Sequence, residues 1–221
     1  MPAIFILFVV LAIAAGIYNM IAAQKRREGM AVLAARLGLS FNAGEDYELP
    51  ERFAFLKQLA EGSNRYAFNI LSGQYKENDV LAFDYHYETY SYDKNGRHTN
   101  DFYLSFLILT LPAVFPELKI SHEGLLSKLA QAFGYDDIDF ESAEFSKTFC
   151  VRSPDKKFAY DVCNARMIEY LLANQDLSLE IECNALAMVF TRQLAVEKIE
   201  LDLQRLEEIR LRLPEYLFTK V

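Results

Sequence analysis

The fold is decided by residues 80–111, which read VLAFDYHYETYSY (80–92), DKNGRH (93–98) and TNDFYLSFLILTL (99–111). Asn-Gly between two β-rich segments predicts a β-hairpin, because both central positions of the turn favour a positive φ. A two-residue turn centred on Asn95 and Gly96 sets the expected register, with Ser105 opposite His86.

The predicted hairpin separates apolar from polar side chains. The apolar face carries Leu81, Phe83, Tyr85, Tyr87, Phe102, Leu104, Phe106 and Ile108. The polar face carries Asp84, His86, Glu88, Tyr90, Asp101 and Tyr103. A slip of one residue would mix the two sets, so the pairing is strongly specified. We interpret the polar face as the solvated outer face of an antiparallel sheet.

Short helices and strands surround the hairpin in irregular order, which predicts an α+β domain with helices largely on one face of an antiparallel sheet. The expected helices span 26–37, 50–60, 122–133, 165–173 and 194–213. Residues 158–162 are predicted to be extended, and 177–191 to form a second hairpin that turns at Asn184-Ala185.

Because the chain has no repeat or long linker, we expect one domain over 25–221. Pro112 and Pro116 are expected to break the sheet, which leaves a boundary near 112–116 as the alternative.

Residues 3–23, AIFILFVVLAIAAGIYNMIAA, contain no charge and no proline. A transmembrane helix needs about 20 predominantly apolar residues, so this segment predicts an anchor over 1–24 that contacts the lipid bilayer. A secretory signal peptide is the alternative, but no basic region precedes the segment and its end is a poor cleavage site. Lys25, Arg26 and Arg27 follow it. We interpret these three residues as a topology signal, which predicts an outer N-terminus and a cytoplasmic domain at the bacterial inner membrane. The alternative is a site for lipid headgroups.

Composition narrows the classes of partner. The net charge of −8 argues against nucleic acid, because phosphate binding needs a basic face. The chain has three cysteines, Cys150, Cys163 and Cys183, which do not form a disulfide framework and suit a reducing compartment. We interpret Cys150 and Cys183 as small core residues.

Several short motifs occur in a recognisable order: Asn69-Ile70-Leu71-Ser72-Gly73, Phe83-Asp84-Tyr85-His86-Tyr87, Leu111-Pro112, Phe133 to Phe140 and Glu144-Phe145-Ser146. In this order the chain resembles a loose family of uncharacterised bacterial single-pass membrane proteins. The resemblance covers most of the chain after the N-terminal segment. It implies an anchor followed by a domain, and it implies no activity.

One polar group has the composition of a chemical site. Asp84, His86 and Glu88 lie at spacing two on one strand face, with Asp101 diagonally across, and an imidazole among carboxylates can hold a divalent metal. The alternative is an ordinary solvated face. A second acidic run, Asp136, Asp137, Asp139 and Glu141, lacks the glycine and glutamate spacing of a calcium loop and is interpreted as structural.

The last predicted helix, 194–213, has an apolar strip that either packs on the sheet or binds a partner, including a second copy of the chain. No glycine-rich phosphate loop or nucleophile–base motif is present. The sequence therefore predicts a membrane-anchored, non-catalytic interaction or regulatory module without a cofactor, and assigns no catalytic or metal residue. The alternative is a metal-dependent enzyme that uses Asp84, His86 and Glu88.

Overall fold

The protein is an α+β structure built on one antiparallel sheet. The computed structural model describes residues 2–94, 96–122 and 136–219, without the side chains of Pro2, Ala3, Phe5 and Phe8. The strands are β1 Ser40–Asn42, β2 Ser63–Tyr75, β3 Asn78–Asp93, β4 Gly96–His122, β5 Phe149–Arg152 and β6 Leu179–Phe190. The helices are α1 Pro2–Leu37, α2 Glu48–Arg52, a 3-10 helix Lys57–Ala60, α3 Ala143–Thr148, α4 Lys156–Val162, α5 Ala165–Ala173, α6 Val196–Arg210 and α7 Tyr216–Thr219.

Strand β4 is the centre of the sheet. The strand order is β1-β2-β3-β4-β5, and β6 also pairs with β4. Strands β3 and β5 follow one another along one edge of β4, whereas β6 runs along the opposite edge. All of these pairs are antiparallel, as the sequence predicts.

The hairpin forms with a register that differs from the predicted one by two residues. Asp93 pairs with Gly96, so Asp84 lies opposite Ser105 and His86 lies opposite Tyr103. Gly96 therefore begins β4 instead of occupying the turn. The predicted faces are nevertheless retained, because side chains alternate with a period of two and a two-residue shift leaves each on its own face.

Two predicted interruptions of the sheet are wrong. Strand β4 continues through Pro112 and Pro116, and its pairing with β6 shifts register in this region. Proline is tolerated there because a bulge needs no ladder N–H donor. Strand β6 likewise runs without a turn at Asn184-Ala185, and Cys183 has a φ of 51° beside one of the register shifts.

Both faces of the sheet are covered. The larger core joins one face to α1, α4, α5 and α6. The smaller core lies on the opposite face near α2 and the 3-10 helix, and contains Leu49, Leu56, Leu59, Ala67, Ile70, Phe83, Tyr85, Tyr87, Leu104, Phe106, Ile108, Ala185 and Ala187. The apolar face of the hairpin supplies six of these residues, which agrees with its predicted inward orientation.

Local signals predict the helices unevenly. Helix α5 has the predicted bounds, and Asn164 caps it by accepting from the amides of Arg166 and Met167. The expected extended stretch 158–162 is instead part of α4, which Asp155 caps. Most of the predicted helix 122–133 lies outside the described residues.

Helix α1 continues without a break from the apolar segment into the folded domain. It passes through Gly29, and its last turns bury Met30, Leu33 and Ala34 in the larger core. Among the described residues, no helix combines the length and apolar character of a membrane crossing. This finding contradicts the predicted transmembrane anchor over 1–24, which is corrected to an N-terminal helix that extends through a charged segment into the core. The inner-membrane localisation and cytoplasmic orientation stay predictions.

Candidate functional site

A buried polar cluster joins α1 to the sheet. The carboxylate of Asp84 is 0% exposed and accepts hydrogen bonds from Arg26 Nε and Nη2, each at 2.6 Å. Asn69 Nδ2 and Ser105 Oγ donate to the same carboxylate at 2.9 and 2.8 Å. The Leu194 carbonyl accepts from Arg26 Nη1, and its amide donates to Ser105 Oγ. We call these five residues the Asp84 cluster.

The Asp84 cluster corrects two predictions. Asp84 does not lie on a solvated face, because α1 and the segment before α6 cover it. Its carboxylate is engaged by a bidentate guanidinium, so it is not available to a metal held by His86 and Glu88. Arg26 is the partner of Asp84, and the prediction that it belongs to a topology signal stays a prediction.

A bulge in β2 aims Asn69 at Asp84. Pairing of β2 with β3 shifts register between Phe68 and Leu71, and Asn69 has a φ of 51°. Asparagine adopts this conformation more readily than most residues. The motif that begins at Asn69 therefore has a structural role in satisfying a buried charge.

His86 lies on the same strand face, two residues further along β3, and is 2% exposed. Its Nδ1 is 3.0 Å from the Asn64 carbonyl, and its Nε2 is 3.0 Å from Asp101 Oδ1. The rings of Tyr66 and Tyr103 lie on either side, with centroids 4.6 and 4.8 Å from the imidazole. His86 is therefore a positioned, buried residue, and the prediction that it is solvated is wrong.

Glu88 completes a second polar group with His86 and Asp101. Asn64 Nδ2 donates to Glu88 Oε1 at 2.5 Å, and Tyr90 OH donates to Glu88 Oε2 at 2.9 Å. One ligand atom from each of His86, Glu88 and Asp101 lies within 4.8 Å of the others. The structure thus assembles three of the four residues in the predicted polar group, His86, Glu88 and Asp101, and leaves out Asp84.

Sequence reasoning missed a charged row on β4, β5 and β6. Lys119 pairs in register with Arg152 and Glu180, and its Nζ is 2.8 Å from Glu180 Oε1. Burial raises the pKa of Glu180 and lowers that of Lys119, while attraction within the pair opposes both shifts. The nearby Glu182 has a pKa raised to about 7, chiefly by burial and then by the charges of Glu117 and Glu180. In the sequence, this row is marked only by the alternation of charged and apolar residues along the strands. The same alternation is typical of a strand with one face in water, so it does not indicate a buried row.

The cavity beside this row is small. Gln58, Lys119, Cys150, Arg152 and Glu180 line a space of about 60 Å³. Pockets for small-molecule ligands usually exceed ~300 Å³. The row is therefore better described as a buried ion-pair network than as a substrate pocket.

Asp137 of the acidic run and the buried cysteines Cys150 and Cys163 have structural roles, whereas Cys183, predicted as a core residue, is only partly buried. Asp137 Oδ1 accepts from the backbone amides of Ile138 and Val151, which ties the loop to β5. Burial, together with Asp137, raises the pKa of the Cys150 thiol to about 11, and burial also raises that of Cys163. Neither thiol has the lowered pKa that a nucleophile needs.

The apolar strip of the predicted helix 194–213 is used inside the protein. Ile199, Leu203, Leu206 and Ile209 of α6 are buried in the larger core. Leu201 and Leu211 remain exposed. Partner binding or self-association through this helix stays a prediction.

Helix α1 has an exposed apolar surface before the charged segment. We call its residues 4–21 the apolar segment. Eleven of its large apolar side chains, all among those that the structure describes, are 42–74% exposed: Ile4, Ile6, Leu7, Val9, Val10, Leu11, Ile13, Ile17, Tyr18, Met20 and Ile21. These positions surround the helix, because consecutive residues are 100° apart.

The fold resembles one solved structure. The crystal structure of the mycobacterial trehalose monomycolate transport factor A, TtfA, matches with a TM-score of 0.61, covering 87% of this chain and 96% of that chain. The sequences are 14% identical, so the likeness shows the fold alone. No protein-family model matches the sequence, and no curated protein matches it. The resemblance to uncharacterised single-pass proteins stays a prediction.

Proposed function

We propose that this chain is a non-catalytic interaction module that binds a protein partner through the apolar segment of α1. The observation that carries the proposal is the continuous exposure of large apolar side chains around this helix. Soluble monomers rarely expose contiguous apolar surface beyond a few hundred Å². A helix that is apolar on every face is normally covered by other apolar groups.

The attachment of α1 to the domain supports this role. Arg26 joins the helix to Asp84, and Gly29 lies beside Val196 of α6, which would be 3.6 Å from an added Cβ, an ordinary contact distance. Arg36 Nη1 lies 2.6 Å from Glu200 Oε2. A partner bound to the apolar segment is therefore held in a defined orientation relative to the sheet.

The charged groups near the sheet also favour a non-catalytic role. Arg26 neutralises Asp84, and Lys119 pairs with Glu180. The buried thiols of Cys150 and Cys163 have raised pKa values. The alternative of a metal-dependent enzyme that uses Asp84 is not favoured, since Arg26 occupies its carboxylate.

Site-specific photo-crosslinking in the full chain tests the proposal. A photo-reactive residue at Ile13, in the apolar segment, is expected to give a discrete protein adduct in cells. The same residue at Tyr160, which is 50% exposed on α4, is the control and is expected to give none. Adding Ile17→Asp to the Ile13 variant should abolish the adduct, because a charge disrupts an apolar interface.

Three results would overturn the proposal. One is the absence of a discrete protein adduct from Ile13. Another is an adduct pattern that Tyr160 reproduces. The third is an adduct that Ile17→Asp leaves unchanged.

A further inference from the structure

Two carboxylates face each other across the β3–β4 hairpin. Glu88 lies directly opposite Asp101, so both side chains project from the same face. Like charges in directly opposite positions destabilise an antiparallel pair. Among the described residues, the salt-bridge contact of these two acids is the one between Asp101 and His86. The arrangement therefore has an excess of negative charge that a bound cation would offset.

His86 has the orientation of a metal ligand. An N–H on Nδ1 donates to the Asn64 carbonyl, which leaves Nε2 directed at Asp101. Histidines that bind metals characteristically donate their other ring N–H to a carbonyl or carboxylate, which fixes the tautomer and the ring plane. Tyr66 and Tyr103 further restrain the imidazole.

We propose that His86 Nε2 and the carboxylates of Glu88 and Asp101 bind one divalent transition-metal ion. Their ligand atoms lie within 4.8 Å of one another, and donors around a tetrahedral Zn²⁺ are about 3.4 Å apart. The side chain of Asp101 is 54% exposed and Glu88 is half-buried, so both acids have room to rotate. Small rotations would bring their oxygens from within 4.8 Å of the other ligand atoms to the shorter spacing that a bound metal ion needs.

The donor set selects the class of metal. One imidazole with two carboxylates suits Zn²⁺, Mn²⁺ or Fe²⁺, whereas Mg²⁺ prefers oxygen ligands alone. Three protein ligands leave a coordination position for water or for a group on a partner. The site is separate from the apolar segment, so it does not depend on the proposed interaction role.

Calorimetric titration of the EDTA-treated, dialysed full chain with ZnCl₂ tests the proposal. We expect about one Zn²⁺ per chain and no measurable heat of binding with MgCl₂. Asp101→Asn and Glu88→Gln are each expected to weaken Zn²⁺ binding at least about tenfold, by analogy with the loss of groups that support metal sites. Both acids are partly exposed, so circular dichroism should show unchanged folding.

His98→Gln is the matched control. His98 Nε2 also lies 3.0 Å from an aspartate, Asp93, but in the exposed turn of the same hairpin. We expect this variant to bind Zn²⁺ as the natural chain does. Absence of Zn²⁺ binding, binding that survives both acid substitutions, or binding that is lost in His98→Gln would overturn the proposal.

Discussion

Arg26→Met is expected to lower the free energy of unfolding by about 3–5 kcal/mol, the usual cost of removing one partner from a buried ion pair. The variant keeps an unbranched stem but loses the two 2.6 Å hydrogen bonds to Asp84, whose side chain is fully buried. Asn69 and Ser105 still donate to the carboxylate. Hydrogen bonds to a charged group contribute about 1.5–3 kcal/mol each, but these two already exist in the natural chain, so they do not replace the lost cation.

Urea denaturation followed by circular dichroism measures this loss through linear extrapolation. Arg27→Met is the matched control, because Arg27 is the next basic residue and is exposed. We expect the control to change stability by no more than about 0.5 kcal/mol. The double variant Arg26→Met with Asp84→Asn removes the uncompensated charge and should therefore be more stable than Arg26→Met alone.

A loss of stability in Arg26→Met no larger than that in Arg27→Met would show that the ion pair does not hold α1 on the sheet. A further loss when Asp84→Asn is added to Arg26→Met would show that the unpaired carboxylate is not the source of the destabilisation.

Three more predictions concern single residues. Gly62→Ala should cost about 2 kcal/mol or more in urea melts, because φ is 71° and the new Cβ would collide with the backbone of β3; Gly16→Ala, with open space around it, should not destabilise the chain. Tyr85→Phe should cost about 1–3 kcal/mol, since the buried hydroxyl donates to the Leu59 carbonyl at 3.0 Å, whereas Tyr85→Ala should cost about 3–5 kcal/mol. The folded state holds the Glu182 proton up to about pH 7, while the unfolded chain releases it near the ordinary pKa of 4.5. The natural chain should therefore lose stability relative to Glu182→Gln as the pH rises from about 4.5 to 7, which urea midpoints at pH 5 and pH 8 would detect.

Each of these has a clear contrary result. Equal stability of Gly62→Ala and Gly16→Ala in urea melts would show that the backbone conformation at residue 62 does not require glycine. A Tyr85→Phe variant as stable as the natural chain would show that its hydroxyl contributes nothing. We expect the stability advantage of Glu182→Gln over the natural chain to grow as the pH rises. An advantage that shrinks instead would contradict a raised pKa for Glu182.

Alternation within the hairpin determined much of the fold by itself. Phe83, Tyr85 and Phe106 were placed on the buried face from their spacing, and the structure buries all three. The error of two residues in register did not matter to this result, because the side-chain period is also two. Capping of α5 by Asn164 was equally readable, since its side chain bonds to amides within three residues.

The tertiary structure alone decided what covers the polar face. Asp84 and Arg26 are 58 residues apart in the chain, and Ser105 bonds to a segment 89 residues away. An alternating pattern states which side chains share a face, but it does not state whether water or another helix lies against that face. The burial of His86 and the absence of Asp84 from its group with Glu88 and Asp101 follow from the same long-range packing. Local sequence could not specify either, because the free energy that places a charge inside the protein comes from partners that only the folded chain brings together.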